Sequence, residues 1–328
     1  MRDCCWIISD GTMGMELQCI ALAESLNLKY QIKHISPSPI LTALPQFGAI
    51  PFLWKNKYYT KEFYPPFPKV SITCGRRHAG FAIALKRISK GKVSTIHIQD
   101  PRINSGFFDH LIIPEHDPSR GKNIVISKGS LTKINKDKLE AEAKRFLGLV
   151  NHLPQRRIAI NIGGSSKGVA IDKAGAEKIV DKLILLAKEY DCGLMITTSR
   201  RTDETIKYQL RKLNEKQNVL VYEGIGPNPY IGFLGLADTI IVTSDSINMI
   251  SEACSTGKPV YIIALGKNNK RKQSFLDAMQ QEGRTRPFDG HLQSWTYEAL
   301  NETERVAAII REKLSNNDVI KNFNQKQT

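Results

Sequence analysis

The chain has 328 residues, of which 41% are hydrophobic, and it carries a formal net charge of +15 at pH 7. This length is too great for one ordinary hydrophobic core, so we expect two domains. No window approaches the roughly 20 apolar residues that span a bilayer, which excludes a membrane-spanning protein. The positive charge predicts an anionic partner, such as nucleic acid, anionic lipid or a phosphorylated ligand.

Two further signals bear on compartment. The six cysteines include no C-x-x-C pair and no zinc-type Cys/His spacing, so we expect no metal and a reducing environment. Asp10 and the neighbouring glycines interrupt the first apolar stretch too early for a signal peptide. We therefore expect a cytoplasmic protein, either free or peripheral on the inner face of a membrane.

In the first half of the chain, an apolar strand runs into Ser9-Asp10-Gly11-x-x-Gly14 and then into a helix. The two glycines either supply backbone freedom for the turn or let a ligand approach the start of the helix. Periodicity predicts strands over 5–9, 28–34, 70–74, 93–98 and 111–113, and helices over 14–26 and 77–90.

The second half alternates short β-branched runs with helical segments more regularly, which favours a parallel sheet wrapped by helices. The predicted strands are 157–162, 193–199, 219–224, 239–244 and 259–265. The polar segment 151–157, NHLPQRR, is the best linker. We therefore predict α/β domains over 1–150 and 151–328, facing a cleft, with the last helix (near 303–314) returning to the first lobe.

Ligands of open α/β sheets bind beyond the carboxyl ends of the strands, where this chain places small, hydroxylated or cationic residues. Backbone amides, hydroxyls and arginines suit a nucleoside diphosphate bound without a metal. No regular nucleotide motif is present, since Val169 follows Gly168 where a P-loop requires lysine. The candidates are Gly163, Gly164, Ser165, Ser166, Ser199, Arg200, Arg201, Thr202, Ser244, Asp245 and Ser246.

The helix after 239–244 adds two candidates. Ser246 suits its N-cap, and Met249 and Glu252 follow on roughly one face. Glu252 could accept hydrogen bonds from a ribose diol. The alternative interpretation is a solvated glutamate beside a capped helix.

These motifs, read with GRRHAGFAIALKR, QDPRINSGFFDHLIIPEHD, GPNPYIGFLGLADTIIVTSDSINMISEACSTGKPVYI and RPFDG, resemble the mitochondrial fission ELM1 family of plants and bacteria. The resemblance runs nearly end to end. It implies a GT-B-like fold of two Rossmann-like lobes. It also implies Glu252 on the donor ribose, residues 163–166 and 244–246 near the diphosphate, and a glycosyl acceptor beside Gly11, Gly14 and Gln18.

The chain departs from the family pattern Asp-Gly-x-x-Gly-His-x-x-Gln, because Met15 stands where that pattern has histidine. Methionine cannot accept a proton, so another group must act as base if the chain is an enzyme. Asp10, Asp100 and Glu115, with His116, are candidates on strand-end loops, whereas structural roles are favoured for His78 and His97.

Two functions remain open. The first is a metal-independent, inverting-type transfer of sugar from a nucleotide-sugar donor to an envelope or lipid-linked saccharide, with no other cofactor. The second is a non-catalytic adaptor that binds a partner protein at a membrane. The basic run 266–273 would contact anionic lipid or be an ordinary solvated charge run. Nucleic-acid binding is not expected, because no recognised module is present.

Overall fold

The computed structural model describes residues 5–36, 39–49, 65–164, 173–266 and 268–316. They form two compact units. Unit 1 comprises the described residues up to Lys133 together with those from Asn301, and unit 2 is Ile134–Leu300. Each unit holds a six-stranded parallel sheet with helices, so the prediction of two Rossmann-like α/β lobes is confirmed.

Unit 1 has the strand order β2-β1-β3-β4-β5-β6. Its elements are β1 (Cys5–Ser9), α1 (Met13–Ser25), β2 (Tyr30–His34), α2 (Pro39–Ala43), β3 (Val70–Cys74), α3 (Arg76–Ile88), β4 (Ser94–Ile98), β5 (His110–Pro114) and β6 (Ile124–Ser127). Strands β1, β3 and β4 are buried along their whole length, as expected for a parallel sheet covered on both faces.

Unit 2 has the order β12-β11-β10-β7-β8-β9, the doubly wound arrangement of a nucleotide-binding fold. Its elements are α4 (Lys136–Phe146), β7 (Arg157–Ile162), α5 (Lys173–Glu189), β8 (Gly193–Thr198), α6 (Glu204–Arg211), β9 (Val219–Val221), α7 (Tyr230–Leu236), β10 (Thr239–Thr243), α8 (Ile247–Cys254), β11 (Val260–Ile263), α9 (Lys270–Gln281) and β12 (Thr285–Pro287). Chain order reverses between β7 and β10.

The last helix, α10 (Glu302–Asn316), packs in unit 1. Val306, Ala307, Ile310 and Leu314 recur at helical spacing and join the buried core under β1 and β3. The Glu302 carboxylate accepts the Lys128 amide at 2.7 Å, which fixes the start of the helix beside the end of β6. The chain therefore returns to its first unit after completing the second.

The division between the units lies at Lys133, not at the expected residue 150. The reason is close packing of α7 on α4. A Cβ on Gly232 would lie 2.7 Å from the Phe146 ring, and one on Gly235 would lie 2.6 Å from the Leu139 carbonyl oxygen. Glycine thus lets the α7 backbone touch α4, and the predicted linker lies inside unit 2.

Three further features of the described residues bear on the sequence analysis. The short edge strands β6 and β12 were not predicted. None of the described helices combines the length and hydrophobicity needed to cross a bilayer. The five cysteines in the described ranges are free and buried.

Candidate functional site

The site in unit 2 lies at the carboxyl ends of β7 and β10, where the chain order of the sheet reverses. Asp245 is at its centre, and the exposed fraction of its side chain is 0%. One carboxylate oxygen accepts the Thr243 hydroxyl at 2.7 Å, and the other accepts the Gly164 amide at 3.1 Å. A buried carboxylate with these donors serves as an anchor for the loop.

The two glycines after β7 contact this carboxylate. A Cβ on Gly163 would lie 1.9 Å from an Asp245 oxygen, and one on Gly164 would lie 1.9 Å from the Arg201 carbonyl oxygen. The Gly163 amide donates to the Thr243 hydroxyl at 2.7 Å. These two amides, which we expected to face phosphate, are therefore bonded within the protein. Ser165 and Ser166 lie outside the described residues.

The turn after β8 is held by its hydroxyl groups. The Thr202 hydroxyl donates to the Gly163 carbonyl at 2.7 Å and accepts the Ser199 amide at 2.9 Å. Thr202 is buried, so its role is to join the β7 and β8 loops. The exposed side chains of this turn are Arg200 and Arg201. Arg201 pairs with Asp245 at 3.4 Å, yet 53% of its side chain stays exposed.

The residues around Asp245 on the β10 loop have structural partners. The Ser244 hydroxyl accepts the Leu265 amide at 2.9 Å, which ties the β10 loop to the β11 loop. Ser246 caps α8 by accepting the Met249 amide at 3.3 Å, in agreement with its expected N-cap position. Met249 is half-buried against the unit 2 core. These side chains shape the site.

Glu252 is half-buried and is hydrogen-bonded by a tyrosine. The Tyr230 hydroxyl donates to it at 2.6 Å. Burial raises the pKa of Glu252 to about 7, although the hydrogen bond from Tyr230 opposes the rise. The carboxyl group therefore changes charge near physiological pH, because the contact with Tyr230 and the burial come from tertiary packing.

A pocket of about 440 Å³ opens at the carboxyl ends of β8 and β9. The sequence analysis missed most of its lining. It combines the cations Arg200, Lys207 and Arg211 with the Tyr222 ring, the Glu223 carboxylate and the polar Asn228. Lys207 and Arg211 also pair with the exposed Glu204, at 2.7 and 3.5 Å. The volume falls within the range of small-ligand sites.

In unit 1, the chain order reverses between β1 and β3, and Asp10 follows β1 there. Its carboxylate accepts the Thr12 amide at 3.0 Å and pairs with Arg77 at 2.8 Å. Burial alone would raise the pKa of Asp10, but the Thr12 hydrogen bonds and the Arg77 charge outweigh it and hold the pKa below its usual value. Asp10 is consequently an ionised anchor and a weak base.

The glycines and Met15 define the rest of this edge. Gly11 has φ of +80°, whereas Gly14 lies inside α1 and its carbonyl accepts the side-chain amide of the buried Gln18 at 3.0 Å. Gly75 follows β3, and a Cβ there would lie 2.4 Å from the Met15 sulfur. Met15 therefore packs directly against the Gly75 backbone.

The other two acid candidates differ from each other. Asp100 accepts the Arg102 amide and the Ser119 hydroxyl, each at 2.7 Å, so its carboxylate organises the loop after β4. Glu115 is exposed at the end of β5. Both lie at the same edge of the sheet as Asp10, because parallel strands end together.

The histidines at this edge have structural partners. The His78 Nδ1 donates to the Cys74 carbonyl, so its Nε2 accepts the Asp10 amide at 3.1 Å. Burial lowers the pKa of His97 to about 3, and its Nδ1 contacts the Thr73 hydroxyl at 2.7 Å. Within the described part of the chain, no group of three metal-ligand side chains is close enough to hold an ion.

A family model described as mitochondrial fission ELM1 matches residues 13–314. The chain belongs to the mitochondrial fission ELM1 family. Among curated relatives of this ELM1 chain, mitochondrial fission protein ELM1 of Arabidopsis thaliana is 29% identical over 277 residues. That alignment covers 76% of this chain and 64% of the plant protein, so just under two thirds of the relative's length is represented. An uncharacterised protein of Rickettsia prowazekii is 28% identical, with 93% and 97% of the two chains covered.

Solved structures with the same fold are distant in sequence. Os79 of O. sativa, solved with UDP, is 11% identical with a TM-score of 0.53, covering 97% of this chain and 92% of its own. UDP-GlcNAc 2-epimerase of Neisseria meningitidis, bound to UDP-GlcNAc, is 14% identical with a TM-score of 0.52, covering 96% and 100%. ADP-heptose heptosyltransferase II of E. coli is 10% identical with a TM-score of 0.50, covering 96% and 99%. The chain thus has a GT-B-like fold.

Proposed function

We propose that unit 2 binds the nucleoside diphosphate of a nucleotide sugar, and that the protein transfers the sugar without a metal. The observation that carries this proposal is the cationic pocket of nucleotide size at the ends of β8 and β9. It opens at the carboxyl ends of parallel strands, the edge at which doubly wound sheets bind their ligands.

The lining of the pocket suits the two ends of a nucleotide. Tyr222 offers an aromatic ring, and Asn228 offers amide donors and an acceptor to a base. Arg200 lines the same pocket and provides a charge for phosphate. Glu252, once ionised, provides an acceptor for ribose hydroxyls.

The acceptor would bind at the carboxyl edge of unit 1, as the resemblance implies. Of the three acid candidates there, Glu115 is the exposed one, whereas the Asp10 and Asp100 carboxylates accept hydrogen bonds from their own loops. We therefore favour Glu115 as the general base that activates an acceptor hydroxyl.

The second candidate function is an adaptor that keeps the fold without catalysis and binds a partner protein at a membrane. Met15 favours it, because the thioether beside Gly75 cannot take a proton. The charged pocket of unit 2 favours the enzyme, since an adaptor has no need for it.

The experiment is calorimetric titration with UDP, GDP and ADP and their sugars, in the presence of a chelator. A matching ligand should stabilise the protein by about 2.7 kcal/mol at a hundredfold excess over Kd. Tyr222→Leu should weaken nucleotide binding about tenfold, because it removes a ring on which a base can stack. Tyr208→Leu is the control, since Tyr208 is exposed on α6 and contacts Lys212.

A second measurement, the release of nucleoside diphosphate from a nucleotide-sugar donor, distinguishes the transferase from the adaptor. If the protein turns over a donor and Glu115→Gln lowers the rate, the result supports the transferase. Tight nucleotide binding without turnover on any donor would favour the adaptor. A strict requirement for magnesium, or equal losses in the two tyrosine variants, would contradict the proposed site.

A further inference from the structure

The backbone after β4 adopts a conformation that the end of a helix does not explain. Among the described residues other than glycine, those with a positive φ, between +45° and +74°, are Asn27, Lys90, Gln99, Arg102 and Asp191. Asn27, Lys90 and Asp191 each stand two residues beyond the last residue of a helix, where a left-handed residue ordinarily ends an α-helix. Gln99 and Arg102 instead follow a strand, so helix termination does not account for them.

Local contacts impose this backbone on the loop. The Gln99 backbone amide donates to the Ile112 carbonyl on β5 at 2.8 Å, which keeps Gln99 in register with the sheet. Asp100 is buried, and its carboxylate accepts the Arg102 amide and the Ser119 hydroxyl, each at 2.7 Å. A left-handed backbone is unfavourable for residues with a Cβ, and such conformations are concentrated at functional sites. The loop therefore warrants a functional interpretation.

The Gln99 side chain lies beside Gly75 at the carboxyl edge of unit 1. Gly75 follows β3, which stands between β1 and β4 in the sheet. The Gln99 side-chain oxygen is 3.5 Å from the position that a Cβ on Gly75 would occupy, and the Met15 sulfur is 2.4 Å from the same point. Because Gly75 has no side chain, Gln99 and Met15 both approach this point.

Gln99 is also a polar side chain that its own protein leaves available. It is half-buried, and within the part of the chain that the structure describes its side-chain amide makes no hydrogen bond. The Asp10 and Asp100 carboxylates, in contrast, accept hydrogen bonds from their own loops. A primary amide offers two donors and an acceptor, which matches a sugar hydroxyl that both donates and accepts.

We propose that Gln99 is an acceptor-binding residue, whose side-chain amide donates to and accepts from the hydroxyl groups of a saccharide. The proposal rests on the proposed function for the saccharide nature of the acceptor, and it adds a residue that recognises it. Glu115, the proposed base, ends β5, the strand next to β4. An acceptor held by Gln99 would thus lie at neighbouring strand ends with its base.

The test compares Gln99→Gly with Lys90→Gly, since both replace a left-handed residue with the one that adopts this backbone most readily. Saturation-transfer NMR with glucose, galactose and N-acetylglucosamine measures sugar binding, and urea denaturation measures stability. Gln99→Gly should weaken sugar binding about tenfold, because the hydrogen bonds of the amide are lost. Its urea midpoint should be no lower than that of wild type, because glycine relieves the strain. Lys90→Gly should leave sugar affinity within about twofold.

Gln99→Asn keeps an amide and tolerates the left-handed backbone, but its side chain is one methylene shorter. It should also lose affinity, and it serves as the test if Gln99→Gly folds poorly. Equal sugar affinities in wild type and both Gln99 variants, or no binding of any of the three sugars by wild type, would overturn the proposal. A lowered urea midpoint in Gln99→Gly with unchanged sugar affinity would show a structural role and would overturn it as well.

Titration with UDP tests the proposed function separately. UDP binding alongside sugar binding that does not depend on Gln99 would remove only the role of Gln99. Sugar binding that depends on Gln99, in a protein without affinity for a nucleoside diphosphate, would keep the role of Gln99 and refute the nucleotide function.

Discussion

The two units place the same pair of side chains where the chain order of each sheet reverses. In unit 1, Asp10 accepts a backbone amide and pairs with Arg77, and in unit 2, Asp245 does the same with Arg201. Both carboxylates are at most 5% exposed, and both arginines are about half exposed, at 52% and 53%. Each unit thus uses an aspartate to shape the loop after a central strand.

The surroundings of the two pairs differ in packing. Asp10 pairs with Arg77 at 2.8 Å, and the Nε2 of the neighbouring His78 accepts the Asp10 amide. Asp245 has the longer contact to Arg201, at 3.4 Å, and its carboxylate accepts the amide of the glycine loop after β7. In each unit an exposed second arginine precedes the paired one. The two aspartates therefore carry similar charge around them but hold differently packed loops.

The largest expected effect comes from crowding the unit 2 loop. Gly164→Ala would place a methyl group 1.9 Å from the Arg201 carbonyl oxygen. We expect a loss of about 3 kcal/mol in the free energy of unfolding, measured by urea denaturation, together with loss of UDP binding. Gly148→Ala is the control in the same unit, because its Cβ would meet open space.

The same experiment in unit 1 sharpens the comparison. Gly11 has φ of +80° but open space around its Cβ position, so Gly11→Ala should cost about 1 kcal/mol from backbone strain alone. Equal costs at Gly11 and Gly164 would mean that the two loops are equally crowded, which would contradict the open space around the Gly11 Cβ position.

A smaller effect is expected from the titration of Glu252. Its folded pKa of about 7 is above the ordinary 4.5, so the folded state holds the proton more tightly than the unfolded state. The resulting stabilisation is complete below pH 4.5 and is lost as pH rises through 7, a change of about 2 kcal/mol between pH 5 and pH 7. Glu252→Gln should remove this part of the pH dependence, measured as the difference between the two denaturation profiles.

Ligand binding gives an independent check on Glu252. If the ionised carboxylate accepts ribose hydroxyls, the affinity for UDP relative to pyrophosphate should rise as pH passes 7. Glu252→Ala should weaken UDP much more than pyrophosphate. Equal losses for the two ligands would remove the ribose role and leave Glu252 as the buried partner of Tyr230.

Next in size is Asp10→Asn, which keeps the shape of the side chain and removes its charge. We expect a cost of about 1 kcal/mol, because one charge-assisted contact to the half-exposed Arg77 is lost. Since the folded pKa of Asp10 is depressed, this contribution disappears from wild type as pH falls through that pKa. UDP affinity should stay within about twofold. If folded Asp10→Asn lost nucleotide binding, our assignment of the anion site to unit 2 would be wrong.

The sequence predicted the sheets well because buried parallel strands are continuous apolar runs, as in β3 and β10. It missed β12, since a three-residue edge strand containing proline has no such pattern. It placed the unit boundary too late, because only the packing of Gly232 on Phe146 assigns α4 to unit 2. Composition alone cannot show such a contact.

Individual site residues were harder to interpret than strands. The strand-end rule selected Arg201 and Asp245 as candidates, but sequence proximity could not show that Asp245 accepts a hydrogen bond from the Gly164 amide. Tyr222 carried no recognisable signal, since its position in the pocket follows from where β9 ends.

The smallest effect on stability should come from Met15→His, which introduces the histidine of the family pattern at the carboxyl edge of unit 1. The Met15 sulfur lies beside Gly75, and Met15 is half-buried, so an imidazole should fit with a cost below about 1 kcal/mol. UDP affinity, which we propose for unit 2, should not change. Turnover of a nucleotide-sugar donor is the measurement that matters. A rise of about 10²–10⁴-fold would show that the chain is a transferase lacking its positioned base. If Met15→His leaves turnover unchanged and Glu115→Gln lowers it, Glu115 at the end of β5 already acts as the general base. Absence of turnover in both proteins would contradict the transferase and favour the adaptor.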